Sequence, residues 1–122
     1  MRVTYRGSLK GKDVVHRMRG YHAFLFPTLS ENYGHVIVEA MQAGLVPIIS
    51  DQTPWLGLEK RSAGWDLSLD NDKDYISAIT KLFFMDFTQY SCLSAGSIEY
   101  IHHKINSSVL KQKYVNFFNE VN

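Results

Sequence analysis

Glu31 and Glu39 flank a glycine-bearing turn where an apolar run, Phe24-Leu-Phe, passes through Pro27-Thr-Leu-Ser into a helical pattern that closes at Gly44. A helix starting near Gly34 offers unpaired backbone N–H groups and a partial positive charge, which bind phosphate without metal or lysine. Two carboxylates beside such a mouth disfavour the phosphate itself. They suit hydroxyl groups, for which they are acceptors, so the ligand that fits joins phosphate to hydroxyls: a nucleotide or a nucleotide sugar. Eight helical residues span at most ~12 Å. That puts Glu31 in the turn and Glu39 about a turn and a half inside, at opposite ends of a ligand built around a diphosphate. Gly34 has no Cβ, so a ligand can come close to the backbone there. On spacing alone a solvated loop acid and an ordinary exposed helix acid are the favoured reading, because short patterns recur by chance.

The other reactive side chains are less organised. His35 follows Gly34 at the helix mouth. A protonated imidazole there would approach a phosphate but oppose the helix dipole, so its main-chain N–H is the expected contribution. His16 and His22 have no Cys or His partner at zinc-site spacing. His102 and His103, adjacent on a late helix, face different directions. All four are expected to be structural or solvated, and no metal site is expected. Thr28 and Ser30 are expected to cap the turn. Cys92 is the one cysteine, which leaves no disulfide framework and no thiolate metal site and fits a reducing cytoplasm.

The elements needed to position these residues alternate. Residues 2–7 read as a strand and 10–19 as a helix. His22–Pro27 forms a short apolar strand, followed by a helix over 34–43 with Val36, Ile37, Ala40 and Met41 on its buried face. Val46–Ser50 is almost continuously apolar, as expected of a parallel strand covered on both sides. Residues 64–69 read as an edge strand. Asp70-Asn-Asp-Lys has the capping chemistry to open a helix whose apolar stripe is Tyr75, Ile76, Ile79, Leu82 and Phe83. Helices over 87–103 and 107–119 follow. Alternating strands and helices call for a parallel sheet with right-handed crossovers. The expected fold is therefore α/β: a three-layer Rossmann-like parallel sheet of about four strands, helices on both faces, in one domain over residues 1–122.

Bulk composition sets limits. The chain has 122 residues, 45% hydrophobic and 20% charged, with a formal net charge of +1, enough for a core in an ordinary soluble domain. A nearly neutral chain has no basic field for nucleic acid. The scattered cations Arg2, Arg6, Lys10, Lys12, Arg17 and Arg19 read as a solvated surface and leave peripheral contact with acidic lipid open. No apolar run is long enough to span a bilayer, and no signal peptide is present.

Three segments taken together narrow the reading: Pro27-Thr-Leu-Ser-Glu-Asn-Tyr-Gly34, Val38-Glu-Ala-Met-Gln-Ala-Gly44 and Val46-Pro-Ile-Ile-Ser-Asp51. They resemble the donor-binding half of retaining GT-B glycosyltransferases of family four ("group 1"), with their E-x7-E signature. The resemblance is specific over residues 22–51 and looser from Val3 to about Phe118. It implies that Glu39 holds the ribose hydroxyls of a nucleotide-sugar donor. Glu31, the catalytic candidate, would contact hydroxyls of the transferred sugar. Backbone N–H groups around Tyr33, Gly34 and His35 would face the diphosphate, with Asn32 completing the donor site. The chain departs from the family in reading Gly44-Leu-Val-Pro47, one residue longer than the usual Gly-x-Pro. Its loop Asp51-Gln-Thr-Pro-Trp-Leu-Gly57 replaces a glycine-rich turn and, with Gly64-Trp-Asp66, is similar to a bacterial subgroup. That loop follows a strand's carboxyl end, where ligands settle in open α/β sheets. Trp55 can line a base pocket there or cap the sheet, and capping is the expected role.

The resemblance carries further expectations. The chain would be a truncated GT-B C-terminal domain that starts at the third of six strands in the order 3-2-1-4-5-6. Residues 2–7 would then pack directly beside 22–27, or a homodimer would cover the edge. The acceptor-binding domain and the Arg and Lys that clamp the diphosphate would lie outside the chain. The complete enzyme would transfer a sugar from a nucleotide-sugar to a saccharide or lipid-linked acceptor with retention of configuration. It would need no cofactor and no metal, stabilising the leaving diphosphate by charge, in polysaccharide biosynthesis at the cytoplasmic side of a membrane. The chain alone would be inactive and at best a weak donor binder. A catalytically silent interaction module and a piece of a GT-B nucleotide-sugar epimerase are the alternatives. A receiver-like signalling domain is disfavoured, because Asp13 and Asp51 do not supply its acidic set.

Overall fold

The structure, a computed structural model, describes residues 17–28 and 35–106. Three strands, β1 (Ala23–Phe26), β2 (Val46–Ser50) and β3 (Trp65–Leu67), form a parallel sheet in the order β1-β2-β3. Ala23 pairs with Val46 and Phe26 with Ile49, while Ile48 pairs with Trp65 and Ser50 with Leu67. All five residues of β2 are buried, which explains its nearly unbroken apolar sequence. It is the middle strand and has no solvent face to alternate toward.

Pro47 is unusual in a central strand because it has no N–H for a ladder. Pairing with β3 starts one residue later, at Ile48. Opposite Pro47 lies Gly64, at φ 148°, where an added Cβ would sit 2.8 Å from the proline ring. The missing donor and the missing side chain thus coincide where the strand pair opens.

Helices cover both faces. On one, α1 (His35–Gln42) places Ile37, Val38 and Met41 against Ile49, Trp55, Leu58 and Ala63. On the other, α2 (Asp72–Phe84) packs Tyr75 and Ala78 onto Val46, Ile48 and Trp65. The last helix, α3 (Phe87–Asn106), serves both: Tyr90 and Leu93 join the α2 side, and Tyr100 and Ile101 join the α1 side. It passes the amino edge of the sheet, where Tyr90, Ser94 and Ser97 donate side-chain hydrogen bonds to the carbonyls of His22, Gly44 and Leu45 at 2.8, 2.6 and 2.8 Å.

Several expectations shift in detail. On α1, Ile37, Ala40 and Met41 are buried as expected, with Val38 fully buried beside them and Val36 only half-buried at the margin of the face. On α2, Ile76 and Phe83 are exposed, and Ala78 is buried instead. Residues 75, 78, 79 and 82 turn to the sheet, and 76 and 83, seven apart, share the neighbouring solvent face. Asn71 precedes α2 without a side-chain cap bond. Asp72 and Asp74 in the first turn supply the favourable dipole interaction instead. The sheet shows three strands against about four expected; the strand read at 2–7 lies outside the described residues. So do most of the helix read at 10–19, of which Arg17 and Met18 are helical, and the helix read at 107–119. No described helix is long and apolar enough to cross a membrane.

Candidate functional site at the carboxyl edge of the sheet

The expected site residues fall partly within the described structure. Glu31, Asn32, Tyr33 and Gly34 lie outside it, whereas His35 is the first residue of α1 and Glu39 lies one turn further on. The apolar face set by Ile37, Val38, Ala40 and Met41, all fully buried, anchors α1 and so directs its opening turn to the carboxyl exit of β1. The first four N–H groups of any α-helix have no acceptor inside it.

His35 and Glu39 meet: Nε2 lies 3.2 Å from Oε1, and both side chains keep about a quarter of their surface, at 29% and 26%. The imidazole is thus engaged along the helix with the acid four residues later. This direction is the less favourable one for an ion pair with the helix dipole. One Glu39 oxygen is occupied by that contact, and a carboxylate has about four lone-pair sites, so the group retains capacity to accept hydroxyl hydrogens.

A residue not singled out from sequence organises the exit of β1. Ser50 is fully buried at the end of β2. Its hydroxyl donates to the Thr28 carbonyl at 2.5 Å and accepts from the Gln52 amide at 3.2 Å. It thereby ties the chain entering the 29–34 segment to the loop after β2. The available signal was a serine closing an otherwise apolar strand, Val-Pro-Ile-Ile-Ser. The loop itself is pinned from below. Thr53 Oγ1 accepts from the Trp55 amide at 3.1 Å, and Asp66 Oδ1 accepts from the Leu58 amide at 2.9 Å. Trp55 is buried in the α1-side core with 3% of its surface exposed, so it caps the sheet. Asp51 and Gln52 stay exposed at the rim, joined by a 2.8 Å side-chain bond. Next to them the Tyr75 hydroxyl donates to the Leu67 carbonyl at 3.1 Å. Burial first, then Asp51 and Asp72, raise its pKa above the ordinary phenol value, so it remains a neutral donor.

Of the other histidines, His22 stacks edge-on against Tyr90 with ring centroids 5.2 Å apart. His102 pairs with Asn106 one turn along α3, at 3.0 Å. His16 lies outside the described residues.

A small parallel sheet with helices packed on both faces places the chain in the Rossmann-like α/β class. The sequence model of one family, described as "Glycosyl transferases group 1", matches residues 1–83. The chain belongs to that family, which carries sugar transfer from activated donors as its general activity. No curated protein and no solved structure matched the chain.

Proposed function

We propose that the chain is the nucleotide-sugar-binding part of a retaining GT-B glycosyltransferase. The observation that carries this reading is the position of Glu39 on α1, directly after the carboxyl exit of β1, in a chain of the group 1 family. In this reading the main-chain N–H groups of residues 33–35 receive the diphosphate. Glu39 accepts hydrogen bonds from the ribose hydroxyls, Glu31 from hydroxyls of the transferred sugar, and Asn32 completes the pocket. His35 contributes through its backbone and holds the Glu39 carboxylate in place.

Positive main-chain dipoles fixed before the donor arrives are suited to the charge that develops on a departing diphosphate. The proposal therefore needs neither metal nor cofactor. Transfer to a saccharide or lipid-linked acceptor requires an acceptor-binding domain, so the 122-residue chain by itself is expected to bind donor weakly and turn nothing over.

NMR titration of the isotope-labelled chain with UDP-, GDP- and ADP-sugars tests this. The expected result is millimolar affinity, with amide shifts concentrated at residues 33–39, and weaker binding of a 2′,3′-dideoxy nucleotide. Glu39→Gln should abolish the preference for ribose while leaving the phosphate-induced shifts. Shifts confined to another edge of the sheet, or ribose discrimination unchanged in Glu39→Gln, would refute the assignment.

A further inference from the structure

An apolar groove lies on the α2 side of the sheet, away from Glu39. Leu25, Ile48, Leu82, Phe83, Phe87 and Tyr90 line much of its approximately 570 Å³ volume. Its rim is unusually greasy. Phe83, Phe84 and Phe87 are 70%, 77% and 83% exposed, and Leu25 is half exposed. Phe83 and Phe84 touch edge-on with ring centroids 5.1 Å apart, and Phe83, Phe87 and Leu25 share the groove, so these side chains make one continuous patch. Such a patch on a soluble domain marks an interaction surface.

We infer that a second copy of this chain docks on this patch through a two-fold interface. Three lines of observation point to that occupant. The first is area. A phenylalanine presents about 150–250 Å² of contact surface, so three at these exposures leave on the order of 450 Å² of apolar surface in water. A standard interface buries about 800 Å² per partner, a little over half of it apolar. The three rings thus supply roughly the apolar share of one side of a dimer. The second is shape. Projecting rings and a hollow lie within a single patch, and a two-fold axis brings each copy's rings over the other's hollow, as an isologous contact requires. The third is charge. Lys81 and Asp86, both exposed, bracket Phe83 and Phe84. A two-fold axis through the rings sets the lysine of one copy opposite the aspartate of the other. Asp86 caps α3 through Oδ1, which accepts from the Gln89 amide at 2.8 Å, and its second oxygen is available for such a partner.

The groove opens beside His22 and Ala23, at the amino end of β1, so the dimer leaves the carboxyl edge free for ligand. The inference therefore stands apart from the donor-site assignment.

Sedimentation equilibrium of the full chain across micromolar concentrations tests it. The expected result is a reversible shift toward twice the 14.0 kDa chain mass. Phe83→Asp and Phe87→Asp should each weaken association about 30-fold or more, as removal of an aromatic anchor does. Because both rings are exposed in the single chain, the thermal melts of these variants should match the parent's at concentrations where the parent is a monomer. Lys81→Glu, which sets two acids face to face, should weaken association in the same direction. A single-chain mass at every concentration, or a dimer indifferent to Phe83→Asp and Phe87→Asp, overturns the inference. A monomer that binds phosphatidylcholine–phosphatidylglycerol vesicles through these phenylalanines would also overturn it, assigning the patch to a bilayer surface.

Discussion

Tyr100 shows how one side chain can join distant parts of this chain. It is 1% exposed, and its hydroxyl donates to the Leu56 carbonyl at 2.6 Å across 44 residues of sequence. Burial, reinforced by Asp66 and partly offset by Arg61, pushes its pKa up to about 12. A phenol with a raised folded-state pKa contributes stability that is complete below the unfolded value of about 10 and is lost as pH rises toward 12. Thermal melts of the parent should therefore fall more steeply between these limits than those of Tyr100→Phe. At neutral pH that variant should be less stable by about 0.5–1.5 kcal/mol, the net contribution of a typical intramolecular hydrogen bond. A parent and a variant with the same alkaline slope would show that the phenol does not titrate in the core. The site residues speak at the same scale. The His35–Glu39 contact follows from a four-residue spacing once the helix is granted, and the spacing is visible in the sequence. The Ser50–Thr28 bond was not legible, because 22 residues separate its partners and no local pattern relates them.

At the scale of elements, α3 has the most to decide. Gly96 faces the backbone of the 58–62 turn, and an added Cβ would meet the Ser62 carbonyl oxygen and carbon within van der Waals distance. Alanine normally favours a helix over glycine by about 1 kcal/mol. Here that gain is outweighed, because the turn is held by bonds from Arg61 and Ala63 to the Leu58 carbonyl at 3.1 and 2.9 Å and cannot move alone. Gly96→Ala should therefore lower unfolding free energy by about 1–2 kcal/mol, in the range of overpacking penalties; urea denaturation measures it, and a more stable variant would contradict the close approach. The helices were legible as helices from their periodicity. The facing of α2 was less so, because Tyr75-Ile76 and Leu82-Phe83 put apolar residues on two adjoining faces. Periodicity marks both and cannot choose which one meets the sheet.

At the scale of the whole molecule, the described residues put a main core on each face of one thin sheet, with α3 belonging to both. Trp55 lies in the α1-side core and Trp65 in the α2-side core, so each face has its own fluorophore. If α3 couples the faces, Trp55→Phe and Trp65→Phe proteins should each unfold in one transition whose fluorescence midpoint coincides with that of the far-ultraviolet circular dichroism. Separate midpoints for the two faces would show that they unfold independently. The same architecture explains why the phenylalanine patch accumulates where it does. Beside β1 on the α2 side, no described helix covers Leu25, so the groove stays open and its rim keeps its apolar surface.

The sequence by itself determined the alternation of parallel strands and helices, the central place of Val46–Ser50, and the helical setting of His35 and Glu39. These rest on local propensity, period and turn chemistry, which act over a few residues. The family likewise followed from short motifs near Glu31 and Glu39. Only the tertiary structure decided that Trp55 is core, that Ser50 fastens the exit of β1, that Tyr100 clamps the loop, and that Phe83 faces water. Each of those depends on which surface another element leaves vacant, a property of packing between segments that no one-dimensional pattern encodes.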